Sequence, residues 1–282
     1  MKQRTLGRAV SFEGVALHTG TVCKVTLRPA PVDHGVVFRR VDLGQDALIP
    51  ARARFVSRTD RCTTLCCGSA QVSTVEHLLA ALRGLEIDNV IIDIDGPEVP
   101  IADGSAASFV AEIDAAGIVE QPAERRLLKV KEPVWARVGG SVAVALPYDG
   151  FKVSLTFTND HGHPVLGDLF AEIELTPDEF RSGVASARTI GWLDEIDALK
   201  ARGLVKGASM EMAVVLSETE ILTPMRFPNE PARHKVLDII GDLFLAGFVH
   251  AHIVAVRASH ALNAKLAQAL AARSATVEMS QL

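Results

Sequence analysis

The chain has 282 residues, of which 48% are hydrophobic and 22% are charged, and its formal net charge at pH 7 is -5. A chain of this length and composition can bury a sizeable core, so we expect two folded domains rather than a disordered protein. Its Lys and Arg residues are scattered, whereas a nucleic-acid surface needs clustered cations, so the composition excludes nucleic acid as the expected partner.

The N-terminal segment Met1–Arg8 is positively charged but has no apolar region behind it, and no stretch approaches the roughly 18 apolar residues of a membrane span. We therefore expect a cytoplasmic monomer without a transmembrane segment. Four cysteines lack the paired spacing of a structural zinc site and are expected to be reduced thiols. They are Cys23, Cys62, Cys66 and Cys67.

The first half predicts a sheet followed by two helices. Polar and apolar residues alternate over 21–27, and a second strand is expected from Val36. Helical spacing runs from Ser73 to Leu85, where Ser73 and Glu76 have the spacing of a capping box. A strand over 89–95 and a helix over 105–116 complete this half.

The second half repeats strands and helices after a break. The segment 120–126 is polar, contains a proline and has no periodicity, so we interpret it as a linker and place the domains at 1–124 and 125–282. Strands are predicted at 128–135, 141–146 and 151–157, and a helix start with proline at its first position at 176–179.

The two halves are weakly similar in the order of their predicted elements, which is helix, strand and helix in each. The first set starts at Ser73, Asn89 and Ser105, and the second at Arg233, Ala251 and Ala261; His77 and His234 each lie seven residues before a glycine. If the halves are repeats packed helix layer against helix layer, both histidines meet at the interface. Coincidence remains the alternative, because sheet-plus-helix units are common.

His234 and Asp238 lie four residues apart in a segment with helical spacing, so both side chains share one helix face, as two ligands of one metal would. With His77 they make a set of three ligands, and the adjacent Glu76 is a candidate general base. The alternatives are a helix-stabilising pair for His234 and Asp238 and a capping role for Glu76.

Asp242 lies one turn further along the same face and is placed to orient an imidazole such as that of His260. A buried carboxylate beside an imidazolium favours the protonated form, which suits a general acid. A solvated helix face for Asp242 and a loop position without a role for His260 are the alternatives.

Eight sequence strings in a characteristic order extend over nearly the whole chain. They are Gln3-Arg-Thr-Leu, Gly14-Val-Ala-Leu-His-Thr-Gly, Leu27-Arg-Pro-Ala-Pro, Ser73-Thr-Val-Glu-His-Leu, Pro100-Ile-Ala-Asp-Gly-Ser-Ala-Ala, Ser186-Ala-Arg-Thr, Arg233-His-Lys-Val-Leu-Asp with Gly241-Asp-Leu, and His260-Ala-Leu-Asn. On these strings the chain resembles the UDP-3-O-acyl-N-acetylglucosamine deacetylase (LpxC) family. The resemblance implies an α+β fold of two domains, each a β-sheet covered by helices, with the helix layers packed together as a β-α-α-β sandwich.

The resemblance also implies a role for each matching residue. The family's metal ligands fall on His77, His234 and Asp238, with zinc expected and iron(II) as an alternative for the same ligands. The general base falls on Glu76. The other catalytic positions are Lys235 and His260 as the cationic pair, Asp242 as the partner of His260, and Thr189 as the hydroxyl that helps hold the oxyanion.

On the substrate side, the segment 191–203 resembles the insert that forms the wall of a hydrophobic passage for the acyl chain in the family. Its apolar residues at helical spacing are Trp192, Leu193, Ile196 and Leu199. The alternative is an ordinary helix that faces the core. Arg257 stands where the family has a basic residue near the diphosphate. The chain departs from the family at His161, where an aromatic nucleobase contact is usual, at Ile190, and at Ser259. His161 therefore puts the uridine contact in question.

The implied reaction is zinc-dependent hydrolysis of the N-acetyl amide of UDP-3-O-(3-hydroxyacyl)-N-acetylglucosamine, which releases acetate in the committed step of lipid A biosynthesis. Two alternatives stay open. One is a catalytically silent protein that binds a sugar nucleotide or an acyl chain, although such a protein needs neither a base nor an acid. The other is a zinc amidase that acts on another acylated amino sugar, which the departure at His161 keeps open.

Overall fold

The computed structural model describes residues 1–279 of the chain and the side chains of residues 1–273. Over this range the protein is mixed α+β, as predicted. The strands of the first half are β1 (Lys2–Leu6), β2 (Val10–Val15), β3 (Val22–Pro29), β4 (Val36–Arg40), β5 (Leu48–Pro50), β6 (Val56–Arg58), β7 (Thr64–Cys67), β8 (Ala70–Val72), β9 (Val90–Ile94) and β10 (Ile118–Glu124). Those of the second half are β11 (Leu127–Lys129), β12 (Val134–Val138), β13 (Ser141–Leu146), β14 (Phe151–Phe157), β15 (Leu169–Glu174), β16 (Thr189–Trp192), β17 (Ala213–Leu216) and β18 (Phe248–Val256). The helices are α1 (Glu76–Gly84), α2 (Ala107–Ala116), α3 (Pro177–Glu179), α4 (Ile196–Ala201), α5 (Glu230–Phe244) and α6 (His260–Met279).

Two sheets with the same strand connections form the outer layers of the molecule. The first has the order β2-β3-β9-β4-β5 and the second the order β12-β13-β18-β14-β15, with β11 added beside β18. In each sheet the central strand, β9 or β18, is antiparallel to one neighbour and parallel to the other in matching positions. The predicted repeat of the two halves is therefore confirmed at the level of topology.

The helices lie between the sheets in two layers. Helix α2 packs on β2, α5 packs on β14 and β15, and α6 packs on β12 and β13, while α1 and α5 make the main contact between the layers. This is the expected β-α-α-β arrangement. Across residues 1–279, every helix falls short of the combined length and apolar character that a bilayer-spanning helix needs.

Gly241 permits the close approach of α1 and α5. A Cβ atom at this position would overlap the backbone carbonyl oxygen of Glu76. Because a carbonyl oxygen held within a packed helix cannot yield as a flexible side chain can, any larger residue would push the two helices apart. The glycine thus sets the distance between the helix that carries Glu76 and His77 and the helix that carries His234 and Asp238.

The segment 120–126, which the sequence suggested as a linker, is mostly a strand. Strand β10 covers most of this segment and pairs antiparallel with β1. Half-buried and exposed residues alternate from Glu120 to Glu124, so the polar composition of this part of β10 reflects a two-stranded ribbon with one face in solvent. The domain boundary at 124 stays a prediction.

The predicted strand at 128–135 is in fact two strands, β11 and β12, with Pro133 directly before the second; proline has no N–H to donate to a sheet. The strands at 141–146 and 151–157 are confirmed. They do not form a hairpin, because β18 lies between them and pairs with both. The intervening turn ends at Gly150, whose φ of 145° lies outside the range that side-chain-bearing residues favour.

The capping box predicted at Ser73 is also wrong, and α1 starts at Glu76. The residue before the helix, Val75, makes no side-chain cap, and Thr74 adopts a φ of 55° with its hydroxyl donating to Glu98. Ser73 instead hydrogen-bonds through its hydroxyl to Thr64. The Glu76 carboxylate is thereby free of a capping role. By contrast, the helix start at Thr176 is confirmed, since its hydroxyl accepts from the backbone N–H of Glu179.

Candidate active site

Six titratable side chains meet where α1, α5 and the start of α6 pack together. Glu76 and His77 are the first two residues of α1, His260 begins α6, and α5 contributes the others. All six are at least nine-tenths buried: Glu76, His77, His234, Asp238, Asp242 and His260. The sequence had assigned each of them a role, and the structure brings them into one cluster.

The side chains of His77, His234 and Asp238 converge with ligand-type atoms all within 4.8 Å of one another. Oδ1 of Asp238 lies 3.4 Å from Nε2 of His234 and 3.7 Å from Nε2 of His77. Ligands about 2.1 Å from a tetrahedral zinc ion lie roughly 3.4 Å from each other, so these separations suit one small cation.

One unsatisfied polar atom between the two imidazoles also fits a metal. Oδ1 of Asp238 is buried without a hydrogen-bond partner, and it faces Nε2 of both His77 and His234. A buried carboxylate oxygen between two imidazoles is costly unless a cation compensates it. Nδ1 of His234 donates to the carbonyl oxygen of Ala187 at 3.0 Å, which leaves Nε2 as the free ligand atom and fixes the ring orientation.

The charge states favour metal binding as well. Burial, together with the neighbouring His234, lowers the pKa of His77 to about 3, so its imidazole is neutral, as a ligand must be. Burial also lowers the pKa of His234. Burial opposes ionisation of Asp238, but the nearby Lys235 and imidazoles outweigh it and hold the pKa of this carboxyl well below its usual range.

A second trio, Glu76, Asp242 and His260, lies beside the first and also brings ligand-type atoms within 4.8 Å. Both oxygens of Asp242 and Nδ1 of His260, however, already have hydrogen-bond partners. Nδ1 of His260 donates to Oδ2 of Asp242 at 3.0 Å, and Asn263 donates to the same oxygen. Nε2 of His260 faces Oε1 of Glu76 at 3.8 Å. The first trio therefore fits a metal ion better than the second, whose side chains suit acid–base chemistry.

The electrostatics of the second trio suit a base beside an acid. Burial raises the pKa of Glu76, with the carboxylates of Asp242 and Asp238 adding to the shift and His260 opposing it. For His260, burial alone would lower the pKa, but Asp242, Glu76 and Asp238 outweigh it and raise the pKa to about 9. At neutral pH the imidazole is therefore protonated and able to donate.

A cavity of about 480 Å³ opens onto both trios. Thr189, Ile190 and Trp192 line it, as the resemblance implied, and so does Lys235, whose ammonium group lies 2.8 Å from Oδ2 of Asp238. Apolar side chains make up much of the remaining wall, although Arg61, Glu195 and Lys200 also line it. The apolar side chains include Leu17, Ile196, Leu199, Val205, Met212 and Val215. The cavity thus joins a polar reaction centre to an apolar extension.

The insert at 191–203 matches its prediction in part. Trp192, Ile196 and Leu199 line the cavity. Helix α4 covers only Ile196–Ala201, because Trp192 ends strand β16 and a short 3-10 turn follows. Leu193 is 46% exposed, so its predicted place in the wall is wrong. One helix cannot point residues 192, 193, 196 and 199 to one side when its first turn is absent.

Arg257 lines a second cavity of about 300 Å³, which shares Lys235 with the first. Its guanidinium pairs with Asp160 at 2.9 Å and donates to the hydroxyl of Thr158. One face of the His161 ring already has a stacking partner, so that face is not free for a nucleobase. The ring stacks on Trp192 with centroids 3.9 Å apart and the planes 16° from parallel.

The cysteines take no part in this centre. All four are free, and burial raises the pKa of the Cys62 thiol to about 12, with Glu76 adding to the shift. A thiol with so high a pKa stays protonated and is a weak nucleophile.

Two residues near the centre had no role in the sequence analysis. Thr63 is fully buried and hydrogen-bonds to Glu76 and to Asp242. His18 lines the main cavity, and both of its ring nitrogens are buried without a partner. The string that begins at Gly14 contains His18, but no spacing links it to a ligand set, and no pattern connects Thr63 with Asp242.

Comparisons with known proteins point to one family. A sequence profile described as UDP-3-O-acyl N-acetylglycosamine deacetylase (LpxC) matches residues 3–272. A UDP-3-O-acyl-N-acetylglucosamine deacetylase of Xanthomonas campestris pv. campestris (strain B100) is 44% identical over 282 residues, covering 98% of this chain and 92% of that protein. The protein of the same description from Anaeromyxobacter dehalogenans (strain 2CP-C) is 47% identical over 267 residues, or 94% of this chain and 85% of the relative. The chain therefore belongs to the UDP-3-O-acyl N-acetylglycosamine deacetylase family.

Proposed function

We propose that this protein hydrolyses the N-acetyl amide of UDP-3-O-acyl-N-acetylglucosamine, with a zinc ion held by His77, His234 and Asp238. Membership of the family supports the reaction and its place in lipid A biosynthesis. The observation that carries the assignment of residues is the pair of adjoining trios. One has ligand-type atoms at metal-like separations, among them the unsatisfied Oδ1 of Asp238, and the other is a base and an acid that face each other.

Glu76 is the general base that takes a proton from the attacking water. Its carboxylate lines the cavity next to the ligand trio and is not tied up by a helix cap. A pKa raised by burial brings a carboxylate closer to neutral pH, where a base works best. A zinc ion in the neighbouring site supplies Lewis acidity for amide hydrolysis.

His260 is the general acid for the departing sugar amine. Its imidazolium is held by Asp242 at Nδ1, so Nε2 is directed at the space beside Glu76. Lys235 and Thr189 line the same cavity and are placed to hold negative charge on the amide oxygen as the carbon becomes tetrahedral. The products are acetate and a free 2-amino group on the sugar.

The substrate's two ends have separate environments. The apolar extension walled by Trp192, Ile196 and Leu199 suits the acyl chain. Arg257 and Lys235, which line the neighbouring cavity, suit the diphosphate, since a guanidinium can bind phosphate through two parallel hydrogen bonds. Ile190 completes the wall near the reaction centre.

The test of this proposal is acetate release measured with purified protein of known metal content. Turnover of the UDP-linked acylated sugar, with little turnover of the same sugar without UDP, supports the proposal. Equal turnover of both would favour an amidase for another acylated amino sugar, which the His161–Trp192 stack keeps open. Binding of either compound without acetate release would indicate a silent binding protein. Loading the metal-free protein with zinc or iron(II) identifies the active metal.

Replacing Asp242 with asparagine is expected to shift the pH profile. The Asp242 carboxylate is a main reason that the pKa of His260 is raised to about 9, so its removal lowers that pKa. His260 then loses its proton at lower pH, and the basic limb of kcat/KM moves toward neutrality. A profile measured from pH 6 to 10 checks this, and an unmoved basic limb would mean that another group is the acid.

Replacing Trp192 with alanine is expected to lower kcat/KM for substrates with long acyl chains by about tenfold, since one lost apolar contact is worth roughly 1–3 kcal/mol. Short-chain substrates, which do not reach the indole, should change little. The matched control is Leu193→Ala, because Leu193 is adjacent but exposed. Equal losses for short and long chains would place Trp192 outside the acyl passage.

A further inference from the structure

Thr63 touches both halves of the reaction centre. Its backbone N–H donates to Oε2 of Glu76 at 3.0 Å, and its hydroxyl donates to Oδ1 of Asp242 at 2.6 Å. Among the described residues, it is the one that hydrogen-bonds to both carboxylates. It is fully buried and directly precedes β7 in the first half, whereas Asp242 belongs to α5 in the second. A single residue thus ties the base to the partner of the acid.

These contacts close a ring of four residues. From Thr63 the ring runs through Glu76 to Nε2 of His260, across a gap of 3.8 Å, and from Nδ1 of His260 back through Asp242. Nε2 of His260 and Oε1 of Glu76 are too far apart for a direct hydrogen bond, whereas the other three contacts of the ring are hydrogen bonds. The width of this gap depends on the two fixed contacts that Thr63 makes.

The Thr63 hydroxyl is important to Asp242 because the two donors nearby, His260 and Asn263, both bind the other carboxylate oxygen. Oδ2 accepts from both His260 and Asn263, while Oδ1 has the Thr63 hydroxyl as its donor. Asp242 has no exposed surface, so water cannot replace a lost donor without rearrangement. A buried carboxylate left with an unpaired oxygen is expected to turn toward a new partner, and it would carry the His260 imidazole with it.

We propose that Thr63 is a positioning residue for the deacetylation, and that it sets the separation between Glu76 and His260. This inference rests on the proposed function, because it assigns those two residues as base and acid. Thr63 is not among the residues that line the cavity, so we expect it not to touch substrate. Its removal should therefore slow the chemical step without weakening substrate binding.

The test is Thr63→Val, which keeps the shape and the backbone N–H but removes the hydroxyl. We expect kcat to fall about 10- to 100-fold, because displacements of about 1 Å at a reaction centre have effects of this size. KM and metal content should stay close to wild type. Thr63→Ser retains a hydroxyl and should restore most of kcat. A role limited to folding would not separate kcat from KM in this way.

Two comparisons sharpen the test. Thr64→Val is the matched control, since the hydroxyl of Thr64 bonds to Ser73 and lies outside the ring; its kcat should be near wild type. In a double-mutant cycle, Thr63→Val combined with Asp242→Asn should be no slower than Asp242→Asn alone, because the hydroxyl acts through that carboxylate.

Wild-type kcat in Thr63→Val would overturn this inference and leave the proposed function intact, and so would additive losses in the cycle. Wild-type protein with bound metal and no acetate release would overturn the proposed function itself. If Thr63→Val does not fold, Thr63→Cys takes its place, since a thiol is a weak donor of similar size. An intermediate kcat in this variant supports the inference, and a kcat equal to wild type contradicts it.

Discussion

Glu76→Ala is expected to lower kcat by about 10²- to 10⁴-fold, the range typical of a lost general base. The metal content should not change, because the carboxylate is outside the trio of His77, His234 and Asp238. Acetate release and zinc content measured on the same preparation check both statements. Glu76→Gln, which keeps an oxygen to accept from Thr63, should be equally inactive, since an amide cannot act as a base.

The control for this variant is Glu13→Ala, which removes an exposed carboxylate on β2 and should leave kcat unchanged. Loss of the metal from both Glu76 variants would contradict the division of roles, because it would place the ion at the second trio of Glu76, Asp242 and His260. Full activity in either variant would show that another group takes the proton.

His77→Ala is expected to give protein without bound metal and without turnover. Substitutions that only touch a ligand's partners already cost about 10- to 100-fold in metal affinity, and removing one of three ligands should cost more. The variant also leaves Oδ1 of Asp238 with a single imidazole nearby. Metal analysis after dialysis, with acetate release before and after adding zinc, measures both effects.

His34→Ala is the matched control, because the His34 ring contacts a backbone oxygen of Gly35 and lies away from the cavity. It should keep full metal content and full activity. If His77→Ala retains one equivalent of metal and normal kcat, the ligand assignment is wrong. If it retains metal but loses activity, His77 acts on the substrate rather than on the ion.

The sequence predicted the parts of the centre that depend on local geometry. His234 and Asp238 share one face of a helix because the α-helix repeats every 3.6 residues, and the structure has both on α5 as expected. The strand at 151–157 alternates apolar and polar residues, and the strand at 141–146 is a short, mostly apolar run. Glu76 and His77 are neighbours in sequence, so their proximity needed no fold to establish it.

The sequence did not predict which strands pair when they are far apart in the chain. The polar segment taken as a linker is a strand because β1, more than a hundred residues earlier, pairs with it. Strand β18 separates β13 from β14, although a turn joins them in sequence. The capping box at Ser73 failed because contacts to Thr64 and Glu98 from other segments fix the backbone before α1.

By itself, the sequence determined which side chains are available, which of them share a helix face, and which family the chain resembles. The tertiary structure alone decided that α1 and α5 touch at Gly241, that Asp238 reaches imidazoles from both halves, and that Thr63 bridges Glu76 and Asp242. The physical reason is that helix and strand periodicity act over a few residues. Contacts between distant segments depend instead on how complete layers pack, which no short pattern encodes.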